Sequence, residues 1–414
     1  MPNFGNLSAR PRGLRMKVAL VIDHLDAGRG GGESYASALA KGLLQLGHQV
    51  HVFAHSFKGE LQGIRTHHLP MMRYPRGAKA MSLCMAARGR LRRERFDIVQ
   101  GFGATWEVDV HRPGGGSERA WLAREIASHP PGWRRWSAWI RLRVSWKLAT
   151  NLWIESRLYR TGGSHMVVAN SFMVASDIMK SYPRMNPNRI RVIPNGVDIK
   201  KFHPEHRDKW RAQIRQQLGL SRDDVVMLFL AHNFRLKGLG CLLSALQEPM
   251  PGRFVLLVAG RGKKGAYELK ALRSGIRVIF LGPVQKPQLL MSAADMLVHP
   301  TFYDPCANVC IEAMASGLPV ITTTWNGASE LLEDGVSGYL VSDPRSASLL
   351  RDRILALGDG VLRNRMGEAA RKAAERISMD WHLAQMERLY LGVAGLRGSG
   401  LSSTQEGKTC RINT

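Results

Sequence analysis

The chain has 414 residues, enough for two or three domains with substantial cores at roughly 100 to 200 residues per domain, and this excludes a single small module. A composition that is 44% hydrophobic and 22% charged excludes a disordered polymer and a membrane bundle, and predicts a soluble globular protein. Fifty-nine Lys and Arg against 33 Asp and Glu leave a net charge of +26, which predicts a polyanionic or phosphorylated partner: nucleic acid, an anionic membrane face or a phosphorylated substrate.

Residues 1–15 are polar and rich in Gly and Pro, and are expected to be a disordered extension. The apolar run Val18–Ile22 is too short for a signal peptide and leads into Asp23. No uncharged stretch reaches the roughly 18 residues of a membrane span. Five scattered cysteines, odd in number, argue against a disulfide framework. Cys306 and Cys310 lack a second pair at metal-ligand spacing. A cytoplasmic protein is expected.

From Met16 the chain reads as a strand, a glycine loop, an amphipathic helix stopped at Gly47 and a second strand, which is a βαβ unit with parallel strands. Further short strands are expected at Asp97–Gln100 and Met166–Ala169, with a long helical stretch between them. The Pro/Asn/Gly-punctuated segment from Arg191 to Arg207 predicts an interdomain connection. Beyond it, apolar runs at Val225–Ala231, Phe254–Ala259, Val278–Leu281, Met296–Val298 and Val320–Thr322 alternate with helical patterns, as parallel strands buried on both faces do. The fold class is therefore α/β, with two doubly wound Rossmann-like domains facing a central cleft. The expected division is residues 16–203 and 204–378, followed by a C-terminal helix at 379–396 and a flexible Gly/Ser-rich tail at 397–414.

Three segments carry chemistry. Gly28 to Glu33 lies between a strand and a helix N-terminus, where unpaired N–H groups favour an anion and Gly31 and Gly32 let backbone approach a phosphate or sugar; a tight turn without a ligand is the alternative. Arg235 and Lys237 stand between a strand and a helix and outline a diphosphate clamp, with a solvated basic loop as the alternative. Asp304 and Glu312, eight apart, place one carboxylate in a loop and the other in the first turns of a helix, so that both can face the hydroxyls of one ligand. As a bare pair of acids they read equally as helix capping.

The run from Ala294 to Thr323, with its two acids separated by seven residues, resembles the nucleotide-sugar motif of the family-4 retaining glycosyltransferases of GT-B fold. Gly31-Gly32-Glu33, Pro194-Asn195-Gly196-Val197-Asp198, Lys237-Gly238 and the segment Asn326 to Gly335 match in the family's order, so the resemblance spans nearly the whole chain. Within the family the layout is similar to the bacterial glucosyltransferases that act on the inner-core heptose of lipopolysaccharide. The resemblance implies that Arg235 and Lys237 hold the donor diphosphate, Glu312 the ribose and Asp304 the donor sugar. It places the base at the backbone near Val284, the transferred sugar beside Gly31 and Gly32, and Asn308 and Val309 along the donor. Asp304 replaces a usual Glu and Asn308 a usual Gly, which leaves the donor sugar open. Asp109 and His111, expected in a loop beyond a first-domain strand, are candidates to receive the acceptor proton and to hydrogen-bond the sugar.

The implied reaction moves a hexose, glucose from UDP-glucose in the nearest layout, to a saccharide or lipid-linked acceptor with retention of configuration. The setting is lipopolysaccharide core or other cell-surface glycan synthesis. No cofactor or metal is implied, since Arg and Lys stand where a metal would neutralise the leaving diphosphate. In the family's front-face mechanism that phosphate takes the acceptor proton.

Trp133, Trp136, Trp139, Trp146 and Trp153 fall within 21 residues, and the sevenfold recurrence of Trp139, Trp146 and Trp153 predicts that they share one helix face with Trp136; residues 133–160 carry seven cations and one acid, Glu155. Rings beside basic side chains suit an anionic bilayer surface, and hence peripheral attachment at the inner face of the cytoplasmic membrane. The alternative is that the rings pack in the first domain's core. Two other functions remain open at this stage: a nucleic-acid-binding protein, which lacks any known recognition motif here, and a non-catalytic sugar-nucleotide-binding subunit.

Overall fold

The computed structural model describes residues 15–398 except 27, 29, 60, 73, 75, 76, 104 and 161, so almost all of the expected N-terminal extension and of the expected tail lies outside the described residues. In the first half the strands are β1 (Lys17–Val21), β2 (His24–Asp26), β3 (Gln49–Ala54), β4 (Ser56–Lys58), β5 (Arg65–His68), β6 (Ile98–Phe102), β7 (Val108–Arg112), β8 (Ser164–Ala169) and β9 (Ile190–Val192). The helices are α1 (Gly31–Gln45), α2 (Ala78–Leu91), α3 (Glu118–Ala127), α4 (Trp133–Arg143), α5 (Trp146–Arg160) and α6 (Phe172–Ser181). Seven strands form one sheet in the order β5-β3-β1-β6-β7-β8-β9, and every pairing is parallel.

The second half contributes α7 (His206–Gln217), β10 (Val225–Leu230), α8 (Leu239–Ala245), β11 (Phe254–Ala259), α9 (Gly265–Ala271), β12 (Arg277–Gly282), α10 (Pro287–Ala293), β13 (Met296–His299), α11 (Asn308–Ala315), β14 (Val320–Thr323), β15 (Gly338–Val341), α12 (Ala347–Ala356), α13 (Gly360–Glu375) and α14 (Met379–Gly398). Its parallel sheet runs β12-β11-β10-β13-β14-β15, the doubly wound order in which the chain reverses direction between β10 and β13. Ligands of such sheets bind outside the carboxyl ends of the strands at that reversal, and Arg235, Lys237 and Asp304 follow β10 and β13 there.

The apolar runs read as buried strands are so: Val226 to Phe229 and Leu256 to Ala259 are fully buried. Helix α14 leaves the second half and returns to the first, burying Leu383, Met386, Tyr390 and Val393 in the same core as Leu20, Leu39 and Val52. Three local expectations need correction. Asp109 and His111 lie within β7 and not in a loop beyond a strand, because the segment is buried along its whole length and pairs in parallel with β6 and β8 on either side. The tryptophan-rich stretch is two helices broken at Val144 and Ser145, so the sevenfold recurrence of Trp139, Trp146 and Trp153 does not follow one helix face. Asp97 is the residue before β6, which extends to Phe102.

Candidate active site

Lys237 ends the loop after β10, and Gly238 follows it with a φ of +81°, where a Cβ would collide with the carbonyl oxygen of Pro300. Only glycine allows that turn against the β13 loop. It aims Lys237 at Asp304: Nζ donates to Asp304 Oδ2 at 2.6 Å and to the Tyr303 carbonyl at 2.9 Å. Cys306 N donates to Asp304 Oδ1 at 3.2 Å, and His299 Nε2 stands 3.6 Å from Oδ2. Burial alone would raise the Asp304 pKa, yet Lys237 and His299 outweigh it and hold the carboxyl below the usual carboxylate range. Asp304 is therefore an anion, presented at the cleft by a cation.

Glu312 has the opposite environment. It sits on α11, one turn in from Asn308, and no hydrogen bond reaches its carboxylate among the described residues. Burial pushes its pKa up to about 7, with Lys201 the only opposing charge. A desolvated carboxylate without a hydrogen-bond donor is suited to accept from the hydroxyls of a ligand.

Arg235 reaches across the cleft instead of into it. Its guanidinium pairs with the Glu125 carboxylate and donates to Ser128 Oγ and, at 3.3 Å, to the Glu125 carbonyl, all at the end of α3. Nearby contacts close the two halves together. Asn308 Nδ2 donates to Gly31 O at 3.4 Å, and the Glu330 carboxylate accepts from Phe172 N at 2.7 Å and Met173 N at 2.6 Å, capping α6 from the other half. Ser171 Oγ donates to the Pro305 carbonyl at 2.7 Å. Arg261 bonds the carbonyl of Gly28.

The structure thus brings Gly31, Asn308, Asp304, Lys237 and, by way of α3, Arg235 to one cleft. Gly32 faces open space at the start of α1, Val309 packs on the second core, and Val284 follows the carboxyl end of β12 and packs there too. Asp109 and His111 are not brought to this group. The Asp109 carboxylate accepts from Val99 N at 2.8 Å near the amino end of β7, and His165 stands 4.0 Å away. The His111 ring lies edge-on to Tyr159, on the opposite face of β7 from Arg112, and burial pushes its pKa down to about 3.

Two residues without a role in the sequence reading complete the cleft. Arg112 ends β7, fully buried, with its guanidinium 4.3 Å from the centre of the Tyr35 ring. Arg112 Nη2 donates to Asn195 Oδ1 at 2.6 Å, and Asn195 Nδ2 donates to Asn308 Oδ1 at 2.7 Å, so a relay runs from β7 through the interdomain connection to the Gly31 carbonyl. Nη1 of Arg112 has no hydrogen-bond partner among the described residues. Tyr35 is held in turn by His382 of α14. Nδ1 of that ring faces the Pro194 carbonyl at 2.7 Å and must donate, so Nε2 accepts from the Tyr35 hydroxyl at 2.8 Å. An arginine at the carboxyl end of a parallel strand, and the Asn of the Pro-Asn-Gly segment, were the available signals.

Two facing Rossmann-like domains with charged groups converging from the strand ends define a GT-B enzyme. The description "Glycosyltransferase Family 4" matches residues 29–201, and "Glycosyl transferases group 1" matches residues 211–373. The chain belongs to these glycosyltransferases, one half to each description. It is 24% identical over 344 residues to the lipopolysaccharide glucosyltransferase WaaG of Escherichia coli K12, spanning 81% of this chain and 88% of that one. It is 31% identical over 242 residues to a D-inositol 3-phosphate glycosyltransferase of Jonesia denitrificans, covering 55% of this chain and 57% of that enzyme. Among solved structures, WaaG superposes with a TM-score of 0.76 at 22% identity, covering 91% of this chain and all of that one. Anabaena HepE in complex with UDP-glucose superposes at 0.67 and 19% identity, with 91% of this chain and all of that one covered.

Proposed function

We propose that this glycosyltransferase moves glucose from UDP-glucose, with retention of configuration, to a saccharide or lipid-linked acceptor in the synthesis of lipopolysaccharide core or another cell-surface glycan. The observation that carries the reading is the Lys237–Asp304 pair, 2.6 Å apart at the topological reversal of the second sheet, followed in the chain by the Glu312 carboxylate one turn into α11. Lys237 and Arg235 neutralise the leaving diphosphate, Glu312 takes the ribose hydroxyls, and Asp304 orients the donor sugar. The Val284 backbone meets the base, Asn308 and Val309 line the donor, and the start of α1 at Gly31 and Gly32 approaches the transferred sugar. Release of the diphosphate develops negative charge beside Lys237, and Arg235 adds its charge there once it leaves Glu125. The similarity to WaaG and the UDP-glucose bound by HepE support the choice of donor.

The experiment is a panel of nucleotide sugars titrated against the protein, followed by product analysis on truncated lipopolysaccharide cores. An α-linked glucose product from UDP-glucose is expected. Transfer from another donor only, or inversion at the anomeric carbon, overturns the reading.

The same enzyme works at the inner face of an anionic membrane in this account. Trp133, Trp136 and Trp146 are 73%, 66% and 70% exposed, so these rings do not pack in the core. Val144 is also exposed between them, and Arg134, Arg141, Arg143 and Lys147 surround the patch. The sole acid of the stretch, Glu155, is turned inward, where it accepts from Glu118 N at 3.2 Å. Aromatic rings flanked by uncompensated cations match the headgroup layer of an anionic leaflet. No helix among the described residues is long and apolar enough to cross a membrane.

A further inference from the structure

On the face of the first sheet covered by α2, outside the cleft, three potential ligands converge without a role in glycosyl transfer. His51 on β3 is 1% exposed, His67 lies on the edge strand β5, and Glu94 belongs to the connection between α2 and β6. His51 Nδ1 and His67 Nε2 are 2.9 Å apart, His51 Nδ1 and Glu94 Oε2 are 3.8 Å apart, and the ligand atoms of all three lie within 4.8 Å of one another. We propose that His51, His67 and Glu94 form a binding site for one zinc-class divalent ion, remote from the cleft, that fastens the edge strand and the α2–β6 connection to the sheet.

The donor set suits the ion. Two imidazoles and a carboxylate are one of the three-ligand sets that leave zinc a fourth, water-filled position. Ligands about 2.1 Å from a tetrahedral ion stand about 3.4 Å from each other, so the two imidazole nitrogens need to part by about 0.5 Å while the carboxylate closes slightly. Glu94 is free to do so because its side chain is about one-third exposed. Burial first, and the neighbouring cations after it, lower both histidine pKa values despite the opposing pull of Glu94, so both rings are neutral and ready to coordinate at pH 7. Lys17 Nζ already holds Glu94 Oε1 at 2.5 Å, which leaves Oε2 toward the histidines and balances part of the carboxylate's charge. This ammonium weakens the site for a divalent cation relative to one without it, and selects against hard ions such as magnesium that bind through charge alone.

The test is titration of the full-length protein with cobalt(II), read by the visible bands of four-coordinate cobalt and by their loss on adding zinc. One equivalent is expected in the parent. Affinity is expected to fall at least tenfold in His67→Gln and in Glu94→Gln, the latter a part-exposed position that leaves the core untouched. His68→Gln, exposed and outside the triad, should titrate as the parent does. Absence of one-equivalent bands in the parent overturns the proposal, as do parent-like bands in both triad variants or an equal loss in His68→Gln. Donor binding in the cleft is measured separately and has no bearing on this result.

Discussion

Arg235, on the loop after β10, is bound by Glu125 at the end of α3, so the guanidinium expected to meet the donor diphosphate is held by a carboxylate of the other domain. A diphosphate that recruits Arg235 must displace Glu125. A charge-assisted contact of this kind contributes on the order of 1.5 to 3 kcal/mol, so the exchange is a real competition. Glu125→Ala is expected to tighten UDP binding several-fold, whereas Arg235→Ala weakens it. Calorimetric titration of both variants checks the pair, and weaker binding in Glu125→Ala would show that Glu125 positions Arg235 for the donor instead of competing with it.

Glu312 links pH to both stability and binding. Its pKa is about 7 in the fold against an ordinary value of 4.5, so the folded state holds a proton that the unfolded state has released between these values. The stability associated with that proton is fully present below pH 4.5 and is lost as pH rises through 7. Glu312→Gln is therefore expected to be more stable than the parent at pH 8, by on the order of 1 to 3 kcal/mol, with the gap closing toward pH 5. The same variant should bind UDP more weakly, since the amide accepts fewer ribose hydrogen bonds. Thermal unfolding at the two pH values distinguishes this from a purely structural carboxylate, which would be destabilised by the change.

The Glu330 carboxylate receives two backbone N–H groups at the start of α6, in addition to the Ser171 cap at Val174 N, and so ties the second domain to a helix of the first. Replacing it by Ala leaves two donors unsatisfied beside a helix terminus, at a cost of about 0.5 to 2 kcal/mol. Hydrogen exchange at Phe172 and Met173 should rise in Glu330→Ala while the β10 and β11 amides stay protected. Uniform acceleration across both sheets would mean that the contact holds the whole fold and not the domain pairing.

Much of this architecture was legible from the sequence. Five of the six strands of the second sheet, β10 to β14, are continuous apolar runs, and each such run became a strand because a parallel sheet covered on both faces demands nothing else of its residues. β7 escaped that logic, since Asp109 and His111 interrupt its apolar pattern and meet groups of β6, β8 and α5. β9 and β15 are too short to show a period. The Lys237–Asp304 pairing was half visible: both residues stood in recognisable loops, but their meeting depends on the reversal between β10 and β13. The Arg112–Asn195–Asn308 relay was hidden altogether, because it joins residues 83 and 113 positions apart that share no local pattern.

The exposed rings of α4 and α5 give a salt-dependent expectation. Each basic residue near an anionic surface contributes roughly 1 kcal/mol, an attraction that added salt screens. Reversing Arg141, Arg143 and Lys147 to Glu should abolish co-sedimentation with anionic vesicles while turnover on a soluble acceptor survives. Equal pelleting of parent and variant would contradict a membrane role for this surface.

The central claim is that the cleft beside β10 and β13 holds a nucleotide diphosphate sugar, and the direct measurement is calorimetric titration of UDP into the parent and into the Arg235→Ala, Lys237→Ala double variant. Lys237 meets Asp304 at 2.6 Å, so the variant is first shown to be folded by its circular dichroism, since a buried carboxylate loses its cation there. Two charge-assisted contacts of about 1.5 to 3 kcal/mol each predict a loss of UDP affinity of at least a hundredfold. A folded double variant that binds UDP as tightly as the parent would contradict the account and place the donor elsewhere.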